Sequence, residues 1–185
     1  MDELKKIIEV GNSNDIKKYC EQYISITDDT SFVNKLLAEN KIDFSYSDEV
    51  LLIDRDNNET NLQEVLEKNN GKVIYIDFWA SWCLPCLQSM PEAKLLREEY
   101  KDKSVVFVYL AFKDEENKWK EVEQKYEVNY LSESYFITNS KTADLKVNAI
   151  PRYLLYNKKN ELIYFNAPGP NGEEIRVKLD ELLKE

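Results

Sequence analysis

The sequence contains no histidine in 185 residues, and this absence excludes several kinds of site. There can be no His-based catalytic triad, no imidazole ligand for zinc or haem, and no histidine pH switch. Glycine and proline are also scarce, at 4 and 5 residues, which argues against a long flexible or collagen-like segment. The 43% hydrophobic and 32% charged residues are typical of a globular chain about one domain long.

The 25 basic residues are outnumbered by 35 acidic ones. The net charge is -10, and the lysines and arginines form no stripe that could neutralise a phosphate backbone, so nucleic acid and anionic membranes are not expected partners. No apolar run approaches the roughly 18–20 residues of a membrane span. The opening residues 1–6 are not followed by the apolar core of an export signal. These features predict a chain without a membrane span, and they leave its oligomeric state open.

Cysteine occurs three times, at Cys20, Cys83 and Cys86, which is too few for a disulfide scaffold. Cys83 and Cys86 form a Cys-x-x-Cys, a spacing that metal sites also use. Tetrahedral zinc needs four ligands, however, and the chain has only Cys20 and no histidine to complete a set. We therefore expect no metal and no cofactor. Cys20 lies on an apolar helical stripe and is predicted to be a small buried residue, with a third redox thiol as the alternative.

The pattern of apolar residues changes near residue 45. Before it, apolar residues recur at three- and four-residue spacing, from Leu4 through Ile24 to Leu37, and predict two or three short helices. We divide the chain into a helical N-terminal extension, 1–45, and a second domain, 46–185. In the second domain the pattern predicts strands at 50–53, 73–79, 105–111, 135–137, 152–156 and 162–165, and helices at 60–68, 83–100, 114–127, 141–147 and 173–183.

The alternation of strands and helices predicts an α/β fold, with a central mixed sheet and helices on both faces. The run 73–79 is almost wholly apolar, as expected of a central strand buried on both faces. Cys83 follows where this strand ends and a helix begins. Backbone N–H groups and the positive end of the helix dipole there favour a thiolate. Cys83 is predicted to attack a disulfide and Cys86 to resolve the mixed disulfide, without a cofactor. An inert structural disulfide is the alternative.

The stretch Ile76-Asp77-Phe78-Trp79-Ala80-Ser81-Trp82-Cys83-Leu84-Pro85-Cys86 resembles the active-site segment of the thioredoxin superfamily, in particular the TlpA/ResA-like thiol-disulfide oxidoreductases. Four further segments between residues 50 and 185 carry the resemblance: Met90-Pro91, Val105–Val108, Ile150-Pro151 and Asn166–Pro170. The resemblance implies a thioredoxin-like fold with a four- or five-stranded sheet. It also implies a cis peptide before Pro151 that packs against the cysteine pair.

The same resemblance implies an enzyme that exchanges electrons with disulfides of protein substrates and receives them from an upstream redox protein. A reductase is favoured over an oxidase. The family implies the periplasm or cell envelope, with the cytoplasm as the alternative. A binding module with a non-catalytic disulfide is the competing function. A peroxidase is disfavoured because no Pro-x-x-x-Thr-x-x-Cys surrounds either reactive cysteine.

Asp77 is the one charge in the buried strand. The resemblance implies a proton acceptor for Cys86, and the alternative is a side chain at a strand edge that bonds to the backbone. Two departures from the family bear on this role. The neighbouring strand 105–111 has no lysine, and Ser89 stands where many ResA-like proteins have an acidic residue.

Five further residues are predicted to contact the substrate. Trp82 and Leu84 are expected to form an exposed apolar rim, whereas Trp79 is expected in the core. Leu84 and Pro85 separate the cysteines and are expected to tune the stability of the disulfide. Ile150 and Pro151 are expected to hold the substrate backbone in an extended form.

Overall fold

The computed structural model describes residues 50–139, 149–164 and 166–185, together with 19, 22, 23, 26, 27 and 147. From residue 50 onward the described chain folds into seven strands and four helices. In chain order these are β1 (Leu51–Ile53), β2 (Glu59–Asn61), α1 (Leu62–Lys68), β3 (Val73–Trp79), α2 (Leu84–Tyr100), β4 (Val105–Ala111), α3 (Glu116–Lys125), β5 (Glu133–Ile137), β6 (Arg152–Tyr156), β7 (Leu162–Tyr164) and α4 (Glu173–Leu183).

All seven strands belong to one sheet in the order β2-β1-β5-β4-β3-β6-β7. The pairs β3–β4 and β4–β5 are parallel and the others are antiparallel, which confirms the predicted mixed sheet. The expected four or five strands were too few. The additional pairing comes from the three-residue strands β1, β2 and β7, which lie toward the two edges. Strand β2 was not predicted at all, because Glu59-Thr60-Asn61 has no apolar alternation and forms a strand only by pairing with β1.

Strand β3 lies inside the sheet, between β4 and β6, and all seven of its residues are buried. Its register with β4 is continuous, from Val73 opposite Val105 to Trp79 opposite Ala111. β-Branched and aromatic side chains suit such a position because they pack well on both faces of a pleated sheet. The prediction for this strand is confirmed at both ends.

Alternate residues of β3 enter two separate cores, one on each face of the sheet. Ile74, Ile76 and Phe78 join the core that contains Leu62, Val65 and Leu66 of α1. Tyr75 and Trp79 join the opposite core, which contains buried side chains of α2, α3 and α4. Helices therefore cover both faces, as predicted. Because Asp77 is two residues from each of Tyr75 and Trp79, it lies on the face that α2 covers.

Several predicted boundaries need correction. Asn61, rather than Thr60, caps α1, since its side chain accepts a hydrogen bond from the N–H of Glu64 at 2.9 Å. The helix predicted at 60–68 therefore begins at Leu62. Strand β5 begins at Glu133 because its polar first residues pair with β4. Helix α3 is shorter than the predicted 114–127.

Other predictions fall outside the described residues. These are Cys20, most of the N-terminal helices, and the helix predicted at 141–147 apart from Val147, which is buried. In the extension, positions 19, 22, 23, 26 and 27 are helical, and the side chain of Tyr23 packs against the core that contains α1. The division between 1–45 and 46–185 stays a prediction. Within the part of the chain that the structure describes, no helix is both long and apolar enough to cross a bilayer.

Candidate active site

A disulfide joins Cys83 and Cys86 at the start of α2, with an S–S distance of 2.05 Å and a Cα–Cα distance of 5.3 Å. The chain leaves the sheet at Trp79, and Cys83 becomes the N-cap of α2. Pro85 stands in the first turn, where its missing N–H leaves no helical bond unmade. The predicted position of the pair, at the end of a central strand and the start of a helix, is confirmed.

The sulfur of Cys83 lies in the field of the helix N-terminus. It accepts a hydrogen bond from the backbone N–H of Cys86 at 3.3 Å, and the first turn of α2 carries no acidic residue. A thiolate formed at Cys83 on reduction would be stabilised by this donor and by the positive end of the helix dipole. The arrangement therefore favours Cys83 as the nucleophilic cysteine.

The surface around the disulfide is apolar. Cys83 and Cys86 are 3% and 1% exposed, whereas Trp82 is 60% and Leu84 is 64% exposed. Pro85 is exposed as well, and Trp79 is fully buried. The predicted exposure of the rim and burial of Trp79 are confirmed. The indole N–H of Trp82 donates to the carbonyl of Lys113 at 3.0 Å, so the ring is attached to the loop that follows β4.

That loop also holds the residue before Trp82. The hydroxyl of Ser81 donates to Asp114 at 2.6 Å, and its backbone N–H donates to the second carboxylate oxygen. The N–H of Glu115 donates to the same carboxylate. Sequence reasoning missed this contact because 33 residues separate Ser81 from Asp114, and no local pattern connects them. Asp114 thus fixes the chain immediately before the cysteine pair.

Asp77 is the fifth residue of β3 and is 2% exposed. It lies opposite Tyr109 of β4 and Tyr153 of β6, so it is in the middle of the sheet and not at a strand edge. Its Oδ1 atom is buried and has no hydrogen-bond partner. Burial raises the pKa of Asp77 to about 8, and the positive charge of Arg97 opposes this rise. A carboxyl group of this kind can gain or lose a proton near neutral pH.

Arg97 is a buried residue of α2 that the sequence analysis did not select. Its side chain is held by Nε to the carbonyl of Tyr130 at 2.7 Å, by Nη2 to the carbonyl of Glu127 at 3.0 Å, and by Nη1 to the hydroxyl of Tyr109 at 2.6 Å. A signal was present, because Arg97 follows Cys86 by eleven residues. This is three helical turns, and it places both residues on the same face of α2.

Ser89 also faces inward and is buried. Its hydroxyl donates to the carbonyl of Cys86 at 2.8 Å. Tyr153, the neighbour of Asp77 on β6, stacks on Tyr75 with 5.5 Å between ring centroids. Ser89 supplies no negative charge at this position.

The peptide bond between Ile150 and Pro151 is cis, as predicted. Ile150 is half-buried and packs against the core that contains Cys83 and Cys86, whereas Pro151 is exposed. Strand β6 follows directly and pairs with β3. The fold thus brings Ile150 to the core that holds the cysteines, and contact of Ile150 and Pro151 with a substrate stays a prediction.

A family model described as Redoxin matches residues 43–182 of this chain. The chain belongs to the Redoxin family. The thioredoxin-like protein YneN of Bacillus subtilis is 30% identical to this chain. The matched region covers 62% of this chain and 68% of YneN. The thiol-disulfide oxidoreductase ResA of Bacillus thuringiensis is 25% identical over 64% of this chain and 66% of the relative.

Solved structures agree with this assignment to the Redoxin family. A Bacteroides vulgatus protein assigned as a thiol-disulfide oxidoreductase superposes with a TM-score of 0.62 and 28% identity, over 73% of this chain and 86% of that protein. The thioredoxin-like fold and the resemblance to the ResA-like branch are confirmed. This Redoxin-family chain is a thioredoxin-like enzyme of the thiol-disulfide oxidoreductase type.

Proposed function

We propose that the enzyme reduces disulfides of protein substrates through Cys83 and Cys86. The observation that carries the proposal is the position of this pair, disulfide-bonded at the N-terminus of α2 and bordered by exposed apolar side chains. The helix terminus favours a thiolate at one sulfur, and a cysteine three residues later is within disulfide-bonding distance of it. An apolar border suits unfolded or extended polypeptide.

The reaction follows two exchange steps. The Cys83 thiolate attacks one sulfur of the substrate disulfide, the substrate S–S bond breaks, and the released substrate thiolate takes a proton. Cys86 then loses its proton and attacks the sulfur of Cys83, which releases the second substrate thiolate. The substrate gains two electrons, and the enzyme is left with the Cys83–Cys86 disulfide. A dithiol redox protein upstream restores the reduced enzyme by the same exchange in reverse.

Asp77 is the proposed proton acceptor for Cys86. It lies on the face of β3 that α2 covers, and burial raises its pKa to about 8. A base is most effective when its pKa is close to the working pH, because it is then partly ionised and still holds a proton well. An aspartate with the ordinary pKa of about 3.9 would be a much weaker base.

The proposed substrate contacts lie on two segments. Trp82, Leu84 and Pro85 surround the disulfide and are exposed, so they are available to an incoming chain. Ile150 and Pro151 form the second segment, immediately before β6. Because proline has no N–H, Pro151 offers only its carbonyl and ring to a substrate backbone.

Replacing Trp82 by alanine should raise KM for a protein disulfide more than it changes the rate with dithiothreitol. Dithiothreitol is too small to contact the apolar rim of Trp82 and Leu84.

A trapping experiment tests the activity. In Cys86→Ser the first exchange can proceed but resolution cannot, so mixed disulfides through Cys83 should accumulate and appear as thiol-sensitive bands on a non-reducing gel. Cys83→Ser is the matched control and should trap no substrate. If Cys86→Ser reacts with a thiol reagent but forms no mixed disulfide with oxidised insulin, the proposed reductase activity is wrong.

The direction of electron flow is tested by the reduction potential. Equilibration against glutathione or dithiothreitol buffers, followed by tryptophan fluorescence, should give a value near or below about −250 mV for a reductase. A value above roughly −180 mV indicates an oxidant or isomerase instead. A pair that does not titrate would favour a binding module with an inert disulfide.

Residues 1–45 are proposed to be a helical extension of the redox domain, and the packing of Tyr23 against the core near α1 supports this. Removing 1–45 should lower the melting temperature and leave the rate of insulin reduction unchanged. A lost rate with unchanged stability would indicate a role in substrate binding instead.

The proposed location, the periplasm or cell envelope, rests on the family resemblance. Recovery only in the cytoplasmic fraction of the source cells would overturn it.

A further inference from the structure

Arg97 is a buried positive charge whose hydrogen bonds all go to neutral groups. Its side chain is 1% exposed, and its three hydrogen bonds go to two backbone carbonyls and one tyrosine hydroxyl. None of the carboxylates among the described residues forms an ion pair with it. A buried guanidinium without a counter-ion is costly, so the position calls for a reason.

A buried carboxyl group, that of Asp77, lies on the strand next to Tyr109. Asp77 and Tyr109 are register partners on adjacent parallel strands and face α2 together. The Cζ atom of Arg97 lies 5.1 Å from the centre of the Tyr109 ring, and its Nη1 donates to the hydroxyl. Tyr109 therefore contacts Arg97 through its ring and hydroxyl and is the cross-strand neighbour of Asp77.

Arg97 differs from the tyrosines near Asp77 in the sheet. Burial raises the pKa values of the tyrosines, which therefore stay neutral over the working range. An arginine keeps its charge in proteins. Helix α4 contributes only apolar buried residues to this core, and α2 also contributes its disulfide cysteines. The tyrosines in question are Tyr75 of β3, Tyr109 of β4 and Tyr153 of β6.

We propose that Arg97, acting through Tyr109, is a positioning residue that keeps Asp77 able to ionise in the pH range where Cys86 must give up its proton. Charges interact strongly across a core that excludes water, so a cation one side chain away stabilises the carboxylate. The charge of Arg97 already opposes the effect of burial on Asp77. This inference rests on the proposed role of Asp77, and the experiment separates the two.

The test measures the ionisation of Asp77 directly and through the reaction. The side-chain carboxyl carbon of Asp77 is followed by 13C NMR against pH in the oxidised protein. The rate of mixed-disulfide resolution is followed against pH in the reduced protein. In Arg97→Met both midpoints should rise by about one pH unit, because the carboxylate loses its stabilising charge. Arg97→Lys should restore part of the shift, since it keeps a charge without the planar fork.

Two further variants complete the design. Tyr109→Phe keeps the ring but removes the hydroxyl, and it should raise both midpoints by less than Arg97→Met does. Arg55→Met is the matched control, because Arg55 forms an ion pair with a different buried carboxylate, that of Glu123, at 2.6 Å. It also removes a cation from a buried carboxylate, and it should leave both midpoints at the wild-type value.

The outcomes are distinct. If Asp77→Asn leaves the pH profile of resolution unchanged, the proposed role of Asp77 in the reaction fails, while the NMR titration still tests the effect of Arg97 on the ionisation of Asp77. If Asp77 titrates in the wild type but Arg97→Met and Tyr109→Phe leave its midpoint where Arg55→Met leaves it, the inference is overturned. If Arg97→Met does not fold, Tyr109→Phe and Arg97→Lys decide the question.

Discussion

Replacing Asp77 by asparagine should stabilise the protein, and by an amount that depends on pH. The carboxyl group is 2% exposed, and its Oδ1 has no hydrogen-bond partner, so its charged form is poorly accommodated in the folded state. In the unfolded chain the same group is hydrated and ionises near its ordinary value. Asparagine is nearly the same shape and never carries the charge.

The magnitude follows from the two pKa values. Burial raises the pKa of Asp77 from 3.8 to about 8 in the folded protein. Between these values the folded state holds a proton that the unfolded state has lost, so the free energy of unfolding falls as the pH rises. The slope is about 1.4 kcal/mol per pH unit, and over roughly four units the loss reaches about 5 kcal/mol at pH 8 and above. The asparagine variant escapes this loss.

Urea unfolding of the oxidised proteins at a series of pH values measures the effect. The difference between Asp77→Asn and the wild type should be smallest at pH 4, grow steadily to pH 8, and then level off. Asp102→Asn changes an exposed carboxyl in the same way and should give no such slope. A difference that stays constant from pH 4 to pH 8 would refute the reasoning, because it would mean that Asp77 ionises alike in both states.

Three other variants test contacts elsewhere in the molecule. Asp114→Ala removes the acceptor of both Ser81 donors. It should lower the free energy of unfolding by about 1–3 kcal/mol and speed the hydrogen exchange of the Ser81 amide. Unchanged exchange would count against the contact. Arg55→Met leaves Glu123 buried without its cation and should cost about 1–3 kcal/mol in urea unfolding, with Glu123→Gln in the same background recovering part of it. Leu154→Ala empties a fully buried position of β6 and should cost about 2–5 kcal/mol, and a loss below about 1 kcal/mol would contradict the packing of that core.

The elements that the sequence predicts well are those whose signal is local. Strand β3 follows from an unbroken apolar run, because burial on both faces demands it. The position of Cys83 follows from the change between strand and helix patterns, and the cis bond before Pro151 follows from the family resemblance. In each case the residues that determine the feature are neighbours in the chain.

The features that the sequence did not reveal depend on distant partners. Strand β2 is a strand because β1 lies beside it, since Glu59 and Asn61 are residue types that are depleted in strands. Asp114 reaches the redox loop across 33 residues, and Arg97 meets Tyr109 only after α2 packs on β4. In a helix with several charged residues, the residue type alone does not distinguish a buried arginine from an exposed one. The position of Asp77 in a buried strand could therefore be predicted from the sequence, but the buried charge of Arg97 near it could not.

The strand that delivers the cysteines has no free edge. Strand β4 occupies one side of β3 and β6 the other, while the open edges of the sheet belong to β2 and β7, which are three residues long. A polypeptide captured at the disulfide therefore cannot extend the sheet beside β3 and must be recognised by side chains and loop backbone. The short outer strands also give little template for unwanted strand addition. For the proposed reductase of protein disulfides, short outer strands would limit aggregation with unfolded substrate chains.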